Sequence, residues 1–156
     1  MIGINNLTTT SVNEEFLQKI VRKVLKGEGV KGEMELSIAL VESARIRELN
    51  KRYLGKDKVT DVLAFGEKYE VGSTEKEKGI KSPGPFIELG EVIICPQQVK
   101  KNAKKFGSTF EKELAKILIH GILHLLSYNH EKSRAEAKKM EKKEQNYLSR
   151  VLDSKF

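Results

Sequence analysis

All three histidines of this chain fall within one short segment, His120 to His130, at the end of a run so apolar that it must be buried. The run Ile117-Leu118-Ile119-His120-Gly121-Ile122-Leu123-His124-Leu125-Leu126 puts apolar side chains on nearly every face of a helix, which predicts a helix packed on several sides. His120 and His124 stand four residues apart, so on a helix they lie one above the other and make a two-point clamp for a metal. His130 follows after Ser127-Tyr128-Asn129, a polar break. There the asparagine favours the left-handed backbone that ends helices and lets the third ring swing back. Burial disfavours the charged ring and so favours the neutral imidazole that ligates metals. Core histidines bonded to backbone carbonyls are the plainer reading, but that reading suits a lone histidine better than three at this spacing. Three neutral nitrogens with a fourth position open suit one zinc ion per chain, at a site that does chemistry rather than a closed structural one.

The same spacing of histidines occurs in metzincin proteases, where a glutamate after the first histidine is the general base. Gly121 holds that position here and can take no proton, so the proteolytic reading loses its base.

A chain of 156 residues suits one domain with a substantial core, which leaves the metal free to be functional. Cys95, the single cysteine, excludes an internal disulfide and fits a reducing, cytoplasmic setting. It follows the apolar run Val92-Ile93-Ile94, which points to ordinary packing. The N-terminal Met1-Ile2-Gly3-Ile4-Asn5-Asn6 lacks the basic and long apolar regions of a signal peptide, and no segment approaches membrane-spanning length. Neither secretion nor a membrane partner is expected.

Lysine and arginine total 29 against 22 acidic residues, a net charge of +7, which favours a polyanionic partner. Mixed runs such as Glu141-Lys142-Lys143-Glu144 read as solvated helix faces. The single-sign clusters suit phosphates better: Lys100-Lys101-Asn102-Ala103-Lys104-Lys105, and Lys51-Arg52 with Lys56 and Lys58.

In chain order, residues 1–6 form a strand candidate, and Ser11 with Glu14 predicts a capping box before the amphipathic helix carrying Phe16, Leu17, Ile20, Val21, Val24 and Leu25. Glu33 to Val41 alternates with the period of a strand covered on one face, and Ser43 is expected to cap a short helix. Thr60-Asp61 opens an apolar strand. Residues 70–85, with Gly72-Ser73-Thr74 and Ser82-Pro83-Gly84-Pro85, are too polar and broken to pack and read as a mobile loop. A strand resumes over Ile87–Ile94, where Gly90 permits close backbone approach, and Pro96 starts a basic helix. Ser108 with Glu111 and Ser133 with Glu136 predict caps for the histidine helix and the last helix. The expected class is α+β: a single domain spanning 1–156, a small mixed sheet packed with several helices, and the metal-binding histidine helix in its core.

His120 to His130 resembles the H-G-x-L-H-L-x-G-Y-D-H signature of the YbeY family, bacterial and organellar endoribonucleases that mature ribosomal RNA. Ser127 and Asn129 stand where the family usually has glycine and aspartate, neither of them a ligand position. Leu49 to Phe65 is similar to a second family stretch, with Leu54 where an arginine implicated in activity is common, and Leu89-Gly90-Glu91-Val92-Ile93-Ile94-Cys95-Pro96 to a third. Arg52 would point to a nearly opposite helix face, and Lys56 lacks the arginine fork, so neither is a simple substitute for Leu54.

The resemblance implies an α+β fold, with His120, His124 and His130 as zinc ligands. The implied activity is cleavage of ribosomal RNA, single-stranded in the form a cleft can reach, at the 3′ end of the small-subunit rRNA and in ribosome quality control. The small ribosomal subunit or its assembly factors are the implied partners, and Arg52, Lys56 and Lys58 the candidate RNA contacts. No catalytic base is identified; Asp61 is the candidate for positioning water or holding the second nitrogen of a histidine. The competing expectation is a ribosome-assembly binding factor whose metal is structural and whose nuclease activity is weak or absent.

Overall fold

The structure is a computed structural model that describes residues 1–66, 86–128 and 133–153. It has the expected α+β organisation in a single small domain. Its strands are β1 (Ile2–Asn6), β2 (Glu33–Leu40), β3 (Val62–Phe65) and β4 (Phe86–Ile94). The helices among the described residues are α1 (Glu14–Gly27), α2 (Ser43–Leu54), α3 (Pro96–Lys105), α4 (Phe110–Leu125) and α5 (Arg134–Asp153). The strand order is β1-β2-β4-β3, with β1, β2 and β4 parallel and β3 antiparallel on β4. The loop expected at 70–85, together with Asn129 and His130, lies outside the described residues. Among the described residues no helix is long and apolar enough to cross a membrane.

Alternation in β2 does what its period demands: Met34, Leu36, Ile38 and Leu40 are buried while Glu33 and Ser37 are exposed. Together with Leu89, Val92 and Ile94 of β4 they form the main core with α1 and α4. The residues of opposite parity, Leu63 and Ile93, meet Ile46 and Leu49 of α2 on the other face, beside Cys95. Helix α4 lies at the centre, in contact with α1, α3, α5, β3 and β4. Leu118, Ile119, Ile122 and Leu123 are fully buried, and each such side chain contributes roughly 1.5–3 kcal/mol. That enclosure accounts for a helix apolar on nearly every side. The histidine rings are the exception, since His120 and His124 are only half-buried and look out beside β3 and α5.

Three helix starts differ from the sequence expectation. Asn13, not Ser11, caps α1, its Oδ1 accepting from the Phe16 N–H at 3.1 Å. The chain before it is still folded as a turn, with Thr8 N–H on Asn6 Oδ1 and Asn6 Nδ2 on the Thr10 carbonyl. Thr109, not Ser108, caps α4, accepting from Lys112 N–H at 3.1 Å. Ser108 is already engaged in ending α3: its N–H bonds the Ala103 carbonyl at 2.8 Å, behind Gly107 at φ 63°. Ser43 lies inside α2 rather than at its cap, and its N–H donates to Gln97 Oε1 at 3.1 Å, tying α2 to α3. Ser133 does cap α5 as expected, accepting the Glu136 N–H at 3.0 Å.

Gly90 meets its expectation closely. The β2–β4 register shifts between Glu35 and Leu36, leaving Leu89 extra in β4. Gly90 sits there at φ 129°, where a Cβ would stand 2.1 Å from the Phe65 carbonyl oxygen. Only glycine lets β3 and β4 close at this point.

Candidate functional site

The site begins with the way α4 ends. Leu126 is the C-cap and Ser127 follows in the left-handed conformation, φ 75°. The Tyr128 N–H bonds the Leu123 carbonyl and the Ser127 N–H the His124 carbonyl, each at 3.0 Å, the paired bonds of a Schellman motif. Left-handed backbone thus occurs at Ser127, while Asn129, to which the sequence reading assigned it, lies outside the described residues. The turn folds Tyr128 back so that its carbonyl lies 3.0 Å from Nδ1 of His124.

The other ring is held from α5, where a Glu144 carboxylate oxygen bonds Nδ1 of His120. A carbonyl accepts only, and so does an ionised carboxylate, so each Nδ1 carries the proton and, in the neutral rings, each Nε2 presents its lone pair. The two Nε2 atoms are 3.0 Å apart and the rings meet edge to face. Two lone pairs at that separation repel, and a shared cation reverses the sign. Adjacent nitrogens of a tetrahedral zinc site stand roughly 3.3 Å apart, from bonds of about 2.0–2.1 Å. The donor chemistry and spacing of His120 and His124 therefore fit a metal. No group of three candidate ligands forms among the described residues, and His130 lies outside them.

A cleft of about 520 Å³ opens over this pair. Its wall includes Thr60, Asp61 and Val62 at the start of β3, Leu54 from α2, Lys116 and Gly121 from α4, and Glu144 from α5. Asp61 therefore stands in the cleft with His120 and His124. It also serves the fold, its carbonyl accepting the Cys95 N–H at 2.9 Å and its Oδ2 the Asn102 side chain at 3.3 Å. Glu144 and Tyr128 occupy the second nitrogens of the two rings, so Asp61 holds neither of them. Gly121 packs toward the sheet, where a Cβ would meet Val92 Cγ1 at 3.1 Å. A side chain here would press on Val92, and glycine offers none of the base that the glutamate supplies in a metzincin helix. Arg52, Lys56 and Lys58 are exposed and are not among the residues lining the cleft, whereas Leu54, 54% exposed, is.

Three residues the sequence reading passed over matter here. Glu144 belongs to a run read as a solvated face, yet it and Lys143 are both partly buried and make specific bonds. Lys116 precedes His120 by four residues and is the one cation among the described cleft residues. Its i, i+4 spacing to His120 was the available signal. Tyr128 contributes through its backbone, which no side-chain pattern reveals.

Fold and cleft together define a small α+β protein with paired imidazoles facing an open groove. A family model described as Endoribonuclease YbeY matches residues 3–152. A relative from Petrotoga mobilis named Endoribonuclease YbeY is 35% identical over 149 residues, covering 96% of this chain and 93% of its own. One of the same name from Thermotoga maritima is 36% identical over 141 residues, covering 88% and 77%. A solution structure of a Thermotoga maritima protein matches with TM-score 0.65 and 34% identity, covering 97% of this chain and 89% of that one. This chain belongs to the endoribonuclease YbeY family.

Proposed function

We propose that this protein is a cytoplasmic, zinc-dependent endoribonuclease that prefers single-stranded RNA, matures the 3′ end of small-subunit ribosomal RNA and takes part in ribosome quality control. The observation that carries the reading is the convergence of His120 and His124 Nε2, 3.0 Å apart, on the wall of an open cleft. Relatives bearing the endoribonuclease name support the substrate class. His120, His124 and His130 would hold the zinc, which would supply Lewis-acid polarisation of a phosphoryl oxygen and a more acidic water.

The chain's own groups do the remaining work. Glu144 and the Tyr128 carbonyl hold the rings in one tautomer, so both nitrogens face the cleft without reorganisation. Lys116, one helical turn before His120, offsets phosphate charge along the groove. Asp61 accepts a hydrogen bond from the attacking hydroxyl, whether of water or of the ribose 2′ position. An unpaired strand can lay its backbone in such a groove, whereas a stiff duplex presents its phosphates on a wide cylinder.

Leu54 favours a second reading, an assembly factor in which the metal is structural. It places an exposed apolar side chain on the cleft wall, where a cation would contact phosphate. The deciding experiment is cleavage of a labelled single-stranded RNA from the small-subunit precursor. Wild type is compared with His124→Ala and with chelator-treated protein, each checked for folding by circular dichroism. Activity lost in the folded variant and regained when zinc is returned to stripped wild type is the expected result. Equal cleavage in every sample, or none, rejects the nuclease in favour of the assembly factor, and a gain on Leu54→Arg would locate the missing contribution.

A further inference from the structure

Glu28 is the C-cap residue of α1, far along the chain from the histidines, and only 7% exposed. A carboxylate so placed is tolerated only when donors match it. Three do: the hydroxyls of Tyr128 and Tyr147, and Lys143 Nζ at 3.1 Å. Burial pushes the Glu28 carboxyl up, but the bonds from Tyr128, Tyr147 and Lys143 outweigh it and hold the group below the usual glutamate value. Burial and the Glu28 charge together raise both phenols, which keeps them protonated as donors.

These donors stand in a definite relation to the cleft. Tyr128 is the residue whose carbonyl accepts from His124 Nδ1. Lys143 immediately precedes Glu144, the residue that holds His120 Nδ1. Tyr147 lies one helical turn beyond Lys143 on α5 and grips the same carboxylate oxygen, Oε2. One buried carboxylate therefore binds both pieces of chain that orient the imidazoles from behind: the turn after α4 through one oxygen, α5 through the other.

We propose that Glu28 is a positioning residue for the cleft, fixing the orientation and tautomer of His124 through Tyr128, and supporting Glu144 on His120 through Lys143 and Tyr147. This rests on the reading of the two imidazoles as the working groups. If the carboxylate merely stabilised the domain, loss of a single donor would disturb both rings alike or neither, so removing one arm at a time tells the two roles apart.

The test reads ring tautomers in the metal-free full-length chain by long-range 1H–15N NMR at about pH 8, above the ordinary imidazole range, with zinc titration as a second readout. Tyr128→Phe removes only the hydroxyl of one arm. Its expected result is a His124 signal changed from Nδ1–H to a mixture, an unchanged His120 signal, and zinc affinity lowered about tenfold. Tyr147→Phe, which leaves the Tyr128 arm intact, keeps the wild-type His124 signal. If Tyr128→Phe leaves His124 and zinc affinity as in wild type, or if both variants disturb both rings equally, the proposal is overturned. Should Tyr128→Phe not fold, Glu28→Gln preserves the side-chain shape without the charge. A mixed His124 tautomer supports the proposal there, and an unchanged one sinks it. A wild type that neither binds zinc nor cuts RNA would refute the proposed function, yet the tautomer measurement on metal-free protein would still decide this point.

Discussion

The Glu144 carboxylate binds Nδ1 of His120 across 24 residues of sequence, from one helix to another. Because an ionised carboxylate only accepts, it selects the ring form whose Nε2 faces His124. Glu144→Gln should fold normally, since the position is only partly buried. Its amide both donates and accepts, so the selection is lost, and zinc affinity should fall by about 10–100-fold in a chelator-competition titration. Unaltered affinity would remove Glu144 from the working part of the site.

Among the described residues Lys116 is the lysine or arginine on the cleft wall. Lys116→Ala should weaken RNA binding and lower the slope of log affinity against log salt by about one. Lys116→Arg should restore most of both, since the charge is kept. Fluorescence anisotropy with a labelled single strand across a salt series gives the answer, and an unchanged slope would place the phosphate path elsewhere.

Ser127 adopts φ 75° at the end of α4. A non-glycine residue in that conformation carries a steric penalty on the order of 1–2 kcal/mol. Glycine removes it while adding some freedom to the unfolded chain. Ser127→Gly should therefore stabilise the domain by about 0.5–1 kcal/mol, raising Tm by roughly 1–4 °C. A lower Tm would mean that the serine side chain contributes more than its backbone costs.

Acid should weaken the domain through Glu28. Burial raises its pKa and the three donors lower it further than that, so the folded value lies below 4.5, the ordinary one. A group depressed on folding contributes fully above its unfolded pKa, and that contribution disappears as pH falls through the folded value. Urea denaturation of wild type and Glu28→Gln in steps from neutral pH to about pH 3 should show the difference between them shrinking below about pH 4.5. A constant difference across the series would contradict the linkage.

The elements were legible wherever burial is periodic. Alternation located β2, and the apolar run with paired histidines located α4 and the near approach of its rings. Cap residues were less legible, because Ser11 and Asn13, or Ser108 and Thr109, are equally good caps by chemistry. The choice fell to contacts before the helix, such as the bond from Ser108 N–H to Ala103 that closes α3. Glu144 was hidden for a different reason: a charge run does not say which of its members faces a partner, and here the docking of α5 beside α4 decides it. Arg52, Lys56 and Lys58 illustrate the converse, since clustered charge in sequence does not establish a place on the cleft wall.

Both Nε2 atoms come from α4, but the groups that aim them come from chain that follows it: Tyr128 in the turn, and Glu144 well along α5. A chain emerging from synthesis through the end of α4 would carry the imidazoles without their guides. His124 gains its guide with the turn, but His120 gains Glu144 only when the last described helix docks, so the pair is complete only with that docking. Partly made or C-terminally clipped molecules would then hold both histidines yet lack the carboxylate that orients His120.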